Sequence, residues 1–308
     1  MSRQRSVRLR QLDEYCWEIP PTSGMRVPGR IFASEKLIRD IKTDKSLEQV
    51  ANVAYLPGIV AASLAMPDIH WGYGFPIGGV AATDPAAGGV ISPGGVGYDI
   101  NCGVRVLRTE LRENDIKGCV PRLMDALFRA VPAGIGSSNA IKPLSLGEMH
   151  KLLLTGAEYV VRDRGMGGEE DLRHTEENGC LADADPGQVS DRAIERGRRQ
   201  LGTLGSGNHF LEVGIADRIF NSRSAATLGV DEGTVCVLIH CGSRGLGYQV
   251  CDDYLSVMNR AVIKYGIKLP DRQLCCAPIE SDEGIAYLGA MACAANYAWA
   301  NRQTITYL

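Results

Sequence analysis

The chain has 308 residues, 45% hydrophobic and 22% charged, with a net charge of −3 and an isoelectric point near 6.0. That length holds one large domain or two ordinary ones, and the composition is that of a globular protein. The slight acidity excludes a protein that coats nucleic acid by bulk charge, though not one with a local basic groove, and no apolar run reaches the ~18 residues of a membrane span.

Met1-Ser2-Arg3-Gln4-Arg5 is basic, but no apolar stretch follows it, so no secretory leader is expected. Ser34 is placed to cap a helix whose apolar face is Leu37, Ile38 and Ile41. The segment GVRVLRT at 103–109 predicts a strand. Helical spacing follows through Val120, Leu123, Met124 and Leu127, and again over 145–162. Residues 163–187 are polar, glycine-rich and acidic, which predicts a long loop, and 188–199 predicts a charged surface helix. Strands are expected at 210–215 and 234–240; the second is nearly all apolar, as for a strand buried on both faces. A helix over 250–265 should end at Gly266. A last helix begins at Ser281-Asp282-Glu283, acidic residues on the positive end of its dipole, with Ile285, Leu288, Met291, Ala292, Ala295 and Trp299 as its buried stripe. No glycine, proline or basic turn follows Ile305, so this helix reads as cut short. The irregular alternation predicts a mixed α/β (α+β) fold in one domain over 1–308.

Ten cysteines include no C-x-x-C pair, which excludes a zinc ribbon or a thioredoxin-like motif. They read as reduced thiols of a cytoplasmic protein, mostly small buried hydrophobes such as Cys236 and Cys293. Glycine is the anomaly: 36 residues, clustered at 72–103, 202–207 and 242–247. Such clusters mean unusual backbone angles or backbone brought close to a ligand.

Polar residues stand where these clusters meet apolar strands. Asp99 and Cys102 lie three apart before a strand, His209 just before another, and His240 at the end of a third. A carboxylate, a thiolate and two imidazoles are competent transition-metal ligands, and by donor type alone they suggest zinc. A thiolate can bridge two ions. A single histidine at a strand end is more often a satisfied core residue, and it is the combination with three glycine loops that favours a site. Gly205-Ser206-Gly207-Asn208 and Gly242-Ser243-Arg244-Gly245 offer backbone N–H groups for phosphate, with Arg244 able to add bidentate contacts. Asp68 and His70 in DIHWGYG are either catalytic or, for Asp68, a turn cap. His150 and His174 read as surface residues.

Longer motifs carry a resemblance. MPDIHWGYGFPIGG at 66–79, GYDINCGVR at 97–105, LGTLGSGNHFLEV at 201–213 and HCGSRG at 240–245 are similar to those of the RtcB-type RNA ligases, and the likeness runs from Trp17 to Gln303. The resemblance implies an enzyme that joins RNA ending in a 2′,3′-cyclic phosphate or 3′-phosphate to a 5′-hydroxyl end, using GTP and Mn²⁺ through a histidine–GMP adduct. It replaces zinc by Mn²⁺. By motif position it implies that Cys102 bridges two ions, that His209 and His240 complete one site, and that Asp99 serves the other. Asn208, His209, Phe210, Leu211 and Glu212 would line the guanylate site, Asp68 would support the guanylate-accepting histidine, and Ser243 and Arg244 would hold RNA phosphate. The RNA would be tRNA halves or broken ends, and an archease-like activator would be a partner.

The sequence also departs from the family pattern. Tyr307 stands where the family has a metal-binding histidine, and a neutral phenol is a weak ligand. No residue matches the guanylate-accepting histidine, which the family carries in a C-terminal part beyond these motifs. The expectation is a C-terminally shortened ligase, inactive alone. Two alternatives from other classes are a metal-dependent phosphoesterase and a non-catalytic remnant that binds metal or RNA.

Overall fold

The computed structural model describes residues 7–308; the basic N-terminal pentapeptide lies outside the described residues. They divide into two compact units. The first takes the described residues up to Tyr98 and Cys251–Tyr287; the second takes Asp99–Val250 and Leu288–Leu308.

The first unit opens with β1 (Arg10–Gln11), β2 (Cys16–Ile19), β3 (Gly29–Phe32), α1 (Glu35–Ile41), α2 (Ser46–Val53), β4 (Ser63–His70), β5 (Ile77–Val80), β6 (Val90–Ile91) and the short α3 (Pro93–Val96). Ser34 is extended and its side chain accepts a hydrogen bond from the Leu37 amide, which starts α1 where the sequence places it. Strands β1 to β5 form one sheet in chain order. Only β3 and β4 run parallel, and α1 and α2 make the crossover that a parallel pair requires. Ile38, Ile41 and Val50 from these helices bury against Ile19, Ile31, Ala65 and Ile69 of the sheet, each Ile or Val side chain worth ~1.5–3 kcal/mol of transfer free energy.

The second unit holds β7 (Gly103–Arg112), α4 (Glu113–Ile116), α5 (Val120–Ala130), α6 (Leu146–Thr155), α7 (Glu169–Arg173), α8 (Asp191–Gly197), β8 (Phe210–Ile215), α9 (Ser222–Leu228) and β9 (Thr234–Cys241). Helix α10 (Arg244–Lys264) belongs to this unit through Val250 and to the first from Cys251, where β10 (Ala277–Pro278) pairs with β6. Helix α11 (Asp282–Tyr307) returns to the second unit at Leu288. Three antiparallel strands in the order β7-β9-β8 form the sheet on which the candidate site is built.

The α+β class stands, and most predicted elements fall where the periodicity puts them. Several details differ. The helix predicted over 145–162 breaks at Gly156 and resumes as a wide turn at Tyr159–Asp163. The segment 163–187 is not a bare loop, because Glu169–Arg173 forms α7 and capped short turns follow. Strand β9 is central but not buried on both faces: Cys236, Leu238 and His240 are only half-buried, since an antiparallel sheet needs cover on one face alone. For the same reason Cys236 is not a core thiol, whereas Cys293 is. In α11 Ile285 is 59% exposed, and from Ala292 to Ile305 the helix is buried all round; a helix enclosed on every side has no stripe to read. Among the described residues no helix is long and apolar enough to cross a membrane.

Candidate metal centre

The turn from Asp99 to Cys102 is closed by the Cys102 amide donating to the Asp99 carbonyl at 2.9 Å. Asn101 inside it sits at φ +56°, a left-handed conformation that Asn tolerates better than most residues. The chain then enters β7. Register does the rest: Val104 pairs with His240, and His240 with Phe210. This sets His240 on the central strand, level with Phe210, the residue after His209.

Three donor atoms of Asp99, Cys102 and His209 lie within 4.8 Å of one another. His209 Nε2 is 2.6 Å from Asp99 Oδ2 and 3.5 Å from Cys102 Sγ. His240 Nε2 approaches the same sulfur at 3.2 Å. On its far side His209 Nδ1 donates to the Leu204 carbonyl at 2.8 Å. That bond fixes the ring and leaves Nε2 as the nitrogen turned to Asp99 and Cys102, the arrangement a metal-ligating histidine needs. Cys102 is exposed, so the cluster opens to solvent.

The charges agree with this geometry. Burial opposes the charge on Asp99, but hydrogen bonds from His209 and Cys102 and the Arg244 guanidinium outweigh it and hold the carboxyl below its usual range. Burial also opposes protonation of His209, yet its bonds to Asp99 and Cys102 carry it up to about 12. Burial raises the Cys102 thiol. Burial and the neighbouring His209 lower His240, which keeps that ring neutral. The donor set therefore fits a divalent transition ion: one carboxylate, one oriented imidazole with a second beside the sulfur, and one thiol whose proton an ion would displace.

Other predicted site residues fall into distinct places. Ser243 is fully buried, and its hydroxyl donates to Asp99 Oδ1 at 3.4 Å. The Arg244 amide donates to the same oxygen at 3.2 Å, and the Gly245 amide to Gln200 Oε1 at 2.9 Å. These two N–H groups of the 242–245 loop thus orient the carboxylate and the loop itself. The Arg244 guanidinium lies against Gly205, with Nε 3.4 Å from Thr203 Oγ1. Asn208, Phe210 and Glu212 are exposed while His209 and Leu211 are half-buried; the Phe210 ring meets His240 edge-on at 5.3 Å. Asp68 is exposed on β4 in the first unit, with Gly78 beside its carboxylate. His70 there shares its Nδ1 with the Asp68 carbonyl. His150 and His174 are exposed, as expected.

Two more residues reach the site from within the stretch of resemblance, with no site role expected of them. Asn301 and Arg302 of α11 are buried, 0% and 4% exposed. Arg302 Nη1 donates to the carbonyls of Asn101 at 2.7 Å and Cys241 at 2.6 Å, and Nη2 to Asn101 Oδ1 at 2.9 Å. Asn301 accepts from the Gly202 amide at 2.7 Å and donates toward the Thr203 carbonyl and Cys241 Sγ. The available signal was a polar run, Asn301 to Thr304, inside an alanine-rich helix, because buried polar side chains must have partners.

Carboxylate, thiol and imidazoles converging at strand ends make this a candidate metalloenzyme centre on an α+β scaffold. The family model for tRNA-splicing ligase RtcB matches residues 49–308, and the chain belongs to the RtcB family of RNA ligases. It is 55% identical over 301 residues to the tRNA-splicing ligase RtcB of Archaeoglobus fulgidus, covering 97% of this chain and 62% of that protein. The Thermococcus kodakarensis tRNA-splicing ligase RtcB is 53% identical over 302 residues, 98% of this chain and 62% of that protein. The RNA-splicing ligase RtcB of Mycobacterium tuberculosis is 53% identical over 259 residues, 84% of this chain and 60% of that protein. The chain thus spans about three fifths of the length of these relatives.

Proposed function

We propose that Asp99, Cys102, His209 and His240 hold Mn²⁺ in the service of RNA end joining, with residues 1–308 acting as an RtcB-like catalytic domain. The observation that carries this is the convergence of the Asp99, Cys102 and His209 donor atoms. A bound ion would neutralise phosphate oxygens during in-line displacement. Asp99 takes its orientation from Ser243 and the Arg244 amide, and His209 from Leu204. Asn208 to Glu212 offer the guanylate surface and Arg244 an anchor for RNA phosphate. Asp68 is proposed to support the guanylate-accepting histidine. The substrate class is RNA with a cyclic or 3′-phosphate end, joined to a 5′-hydroxyl end in a cytoplasmic setting, with an archease-like activator as partner.

Guanylylation is a separate matter for these 308 residues. Of five histidines, none matches the guanylate acceptor that the resemblance implies, and Tyr307 stands where it implies a metal-binding histidine. We therefore expect no covalent GMP on this chain. Incubation with Mn²⁺ and α-labelled GTP, followed by a denaturing gel, tests this; acid-labile label retained on the protein would sink it. The opening at Cys102 favours one second reading, in which water at the metal opens a cyclic phosphate without GTP. Metal-dependent turnover of a 2′,3′-cyclic phosphate in the absence of GTP distinguishes it.

A further inference from the structure

We infer that Arg302 is a positioning residue that sets the spacing of the metal donors. This rests on the reading of Asp99, Cys102, His209 and His240 as a metal centre. The two carbonyls that accept from Arg302 Nη1 belong to Asn101 and Cys241. Asn101 immediately precedes Cys102, and Cys241 immediately follows His240. One nitrogen thus ties the chain beside the thiol to the chain beside the imidazole, and Cys102 Sγ and His240 Nε2 meet at 3.2 Å. Nη2 adds the Asn101 side-chain oxygen, and Asn101 Nδ2 donates to the Ala295 carbonyl at 3.0 Å. The left-handed Asn101 is therefore held from both ends of its amide by α11. A planar fork with several donors makes such a span; a lysine ammonium, a point charge on a flexible stem, does not.

Arg302 is buried, and its guanidinium bonds to the carbonyls of Asn101 and Cys241 and to the Asn101 side-chain oxygen. Its burial lowers its own pKa, and Cys241, Cys102 and Asp99 oppose that fall in this order. Burying a cation is costly, and hydrogen bonds to carbonyl oxygens offset part of that cost. What it fixes here is the turn that carries two donors, relative to the strand that carries a third.

The test uses the 308-residue chain, with Co²⁺ as the probe. Wild type should show a thiolate-to-cobalt charge-transfer band and saturable binding. Arg302→Lys, which keeps the charge, should bind Co²⁺ about 10–100-fold more weakly, the usual effect of losing an outer partner of a ligand, and its band at saturation should shift or weaken. A purely structural role would lower the melting temperature of the metal-free protein and leave the saturated band unchanged; that result overturns the inference. Should Arg302→Lys fail to fold by circular dichroism, Arg302→Gln serves instead. Its shorter side chain with a single amide nitrogen drops the link between the carbonyls of Asn101 and Cys241, and an unchanged affinity and band in it also overturns the inference. A wild-type chain with no charge-transfer band would overturn the metal reading itself, and the inference with it.

Discussion

His209 Nδ1 lies 2.8 Å from the carbonyl oxygen of Leu204, so that nitrogen keeps its proton and Nε2 is the one an ion must claim. Nε2 faces Asp99 at 2.6 Å, and its bonds to Asp99 and Cys102 carry the ring up to about 12 against the effect of burial. Cys102 is also raised by burial. Both groups thus hold a proton near neutrality, and both must release it to bind metal. The sign follows: metal affinity should climb with pH, by about one to two log units per unit between about pH 6 and 8, as one or two protons are displaced. Calorimetric titration in buffers of different ionisation enthalpy counts those protons directly. A count of zero would show that His209 and Cys102 do not ligate.

Replacing the thiol isolates its part. Cys102 Sγ sits between the two imidazoles, at 3.5 Å from His209 and 3.2 Å from His240. Cys102→Ser should abolish the thiolate-to-cobalt band and weaken binding by at least about tenfold, because a hydroxyl is a poorer ligand for a soft or borderline ion. Persistence of the band would point to Cys241, whose sulfur lies 3.7 Å from His209 Nδ1.

The donors were legible because each stands in a local pattern. Asp99 and Cys102 share one glycine-flanked turn, and His209 and His240 mark strand ends. Arg302 and Asn101 were not legible as a pair, because 201 positions separate them and nothing local in α11 says which loop its polar run meets. The buried stripe of α11 failed at Ile285 for a related reason: environment changes along the helix, exposed at its start and enclosed at its end. Ser243 stands in a glycine loop, and only the fold shows that its hydroxyl meets Asp99. Sequence spacing finds which groups are polar and near a turn, but partners are set by tertiary packing.

Two glycines near the site should respond differently to alanine. Gly242 has no unusual backbone angle, but a Cβ there would overlap the Asp99 carboxylate. Gly242→Ala should push that carboxylate aside, cost about 1–3 kcal/mol of stability as overpacking, and weaken Co²⁺ binding by at least about tenfold. Gly207 has φ +88° and open space around its Cβ position. Gly207→Ala should cost about 1–2 kcal/mol through backbone strain alone. Urea denaturation paired with cobalt titration checks both. Equal effects of the two variants on affinity would contradict the close approach of Gly242 to Asp99.

Asn301 supplies the sharpest test of buried polar pairing. Its Oδ1 accepts from Gly202, and its Nδ2 faces three acceptors: the Thr203 carbonyl at 3.2 Å, Cys241 Sγ at 3.1 Å and the Gly242 carbonyl at 3.4 Å. Asn301→Ala leaves the Gly202 amide without its partner, at a cost of about 1–3 kcal/mol plus the lost packing. Asn301→Asp keeps the shape and the bond from Gly202, but turns a donor into a charged acceptor among acceptors in a fully buried place. It should destabilise at least as much as alanine, and more as pH rises and the new carboxyl ionises, because a buried unpaired charge is dearer than an unmade hydrogen bond. Denaturation midpoints of both variants across a pH series decide the matter: an Asn301→Asp chain as stable as wild type at neutral pH would mean that the amide does not donate where its distances place it.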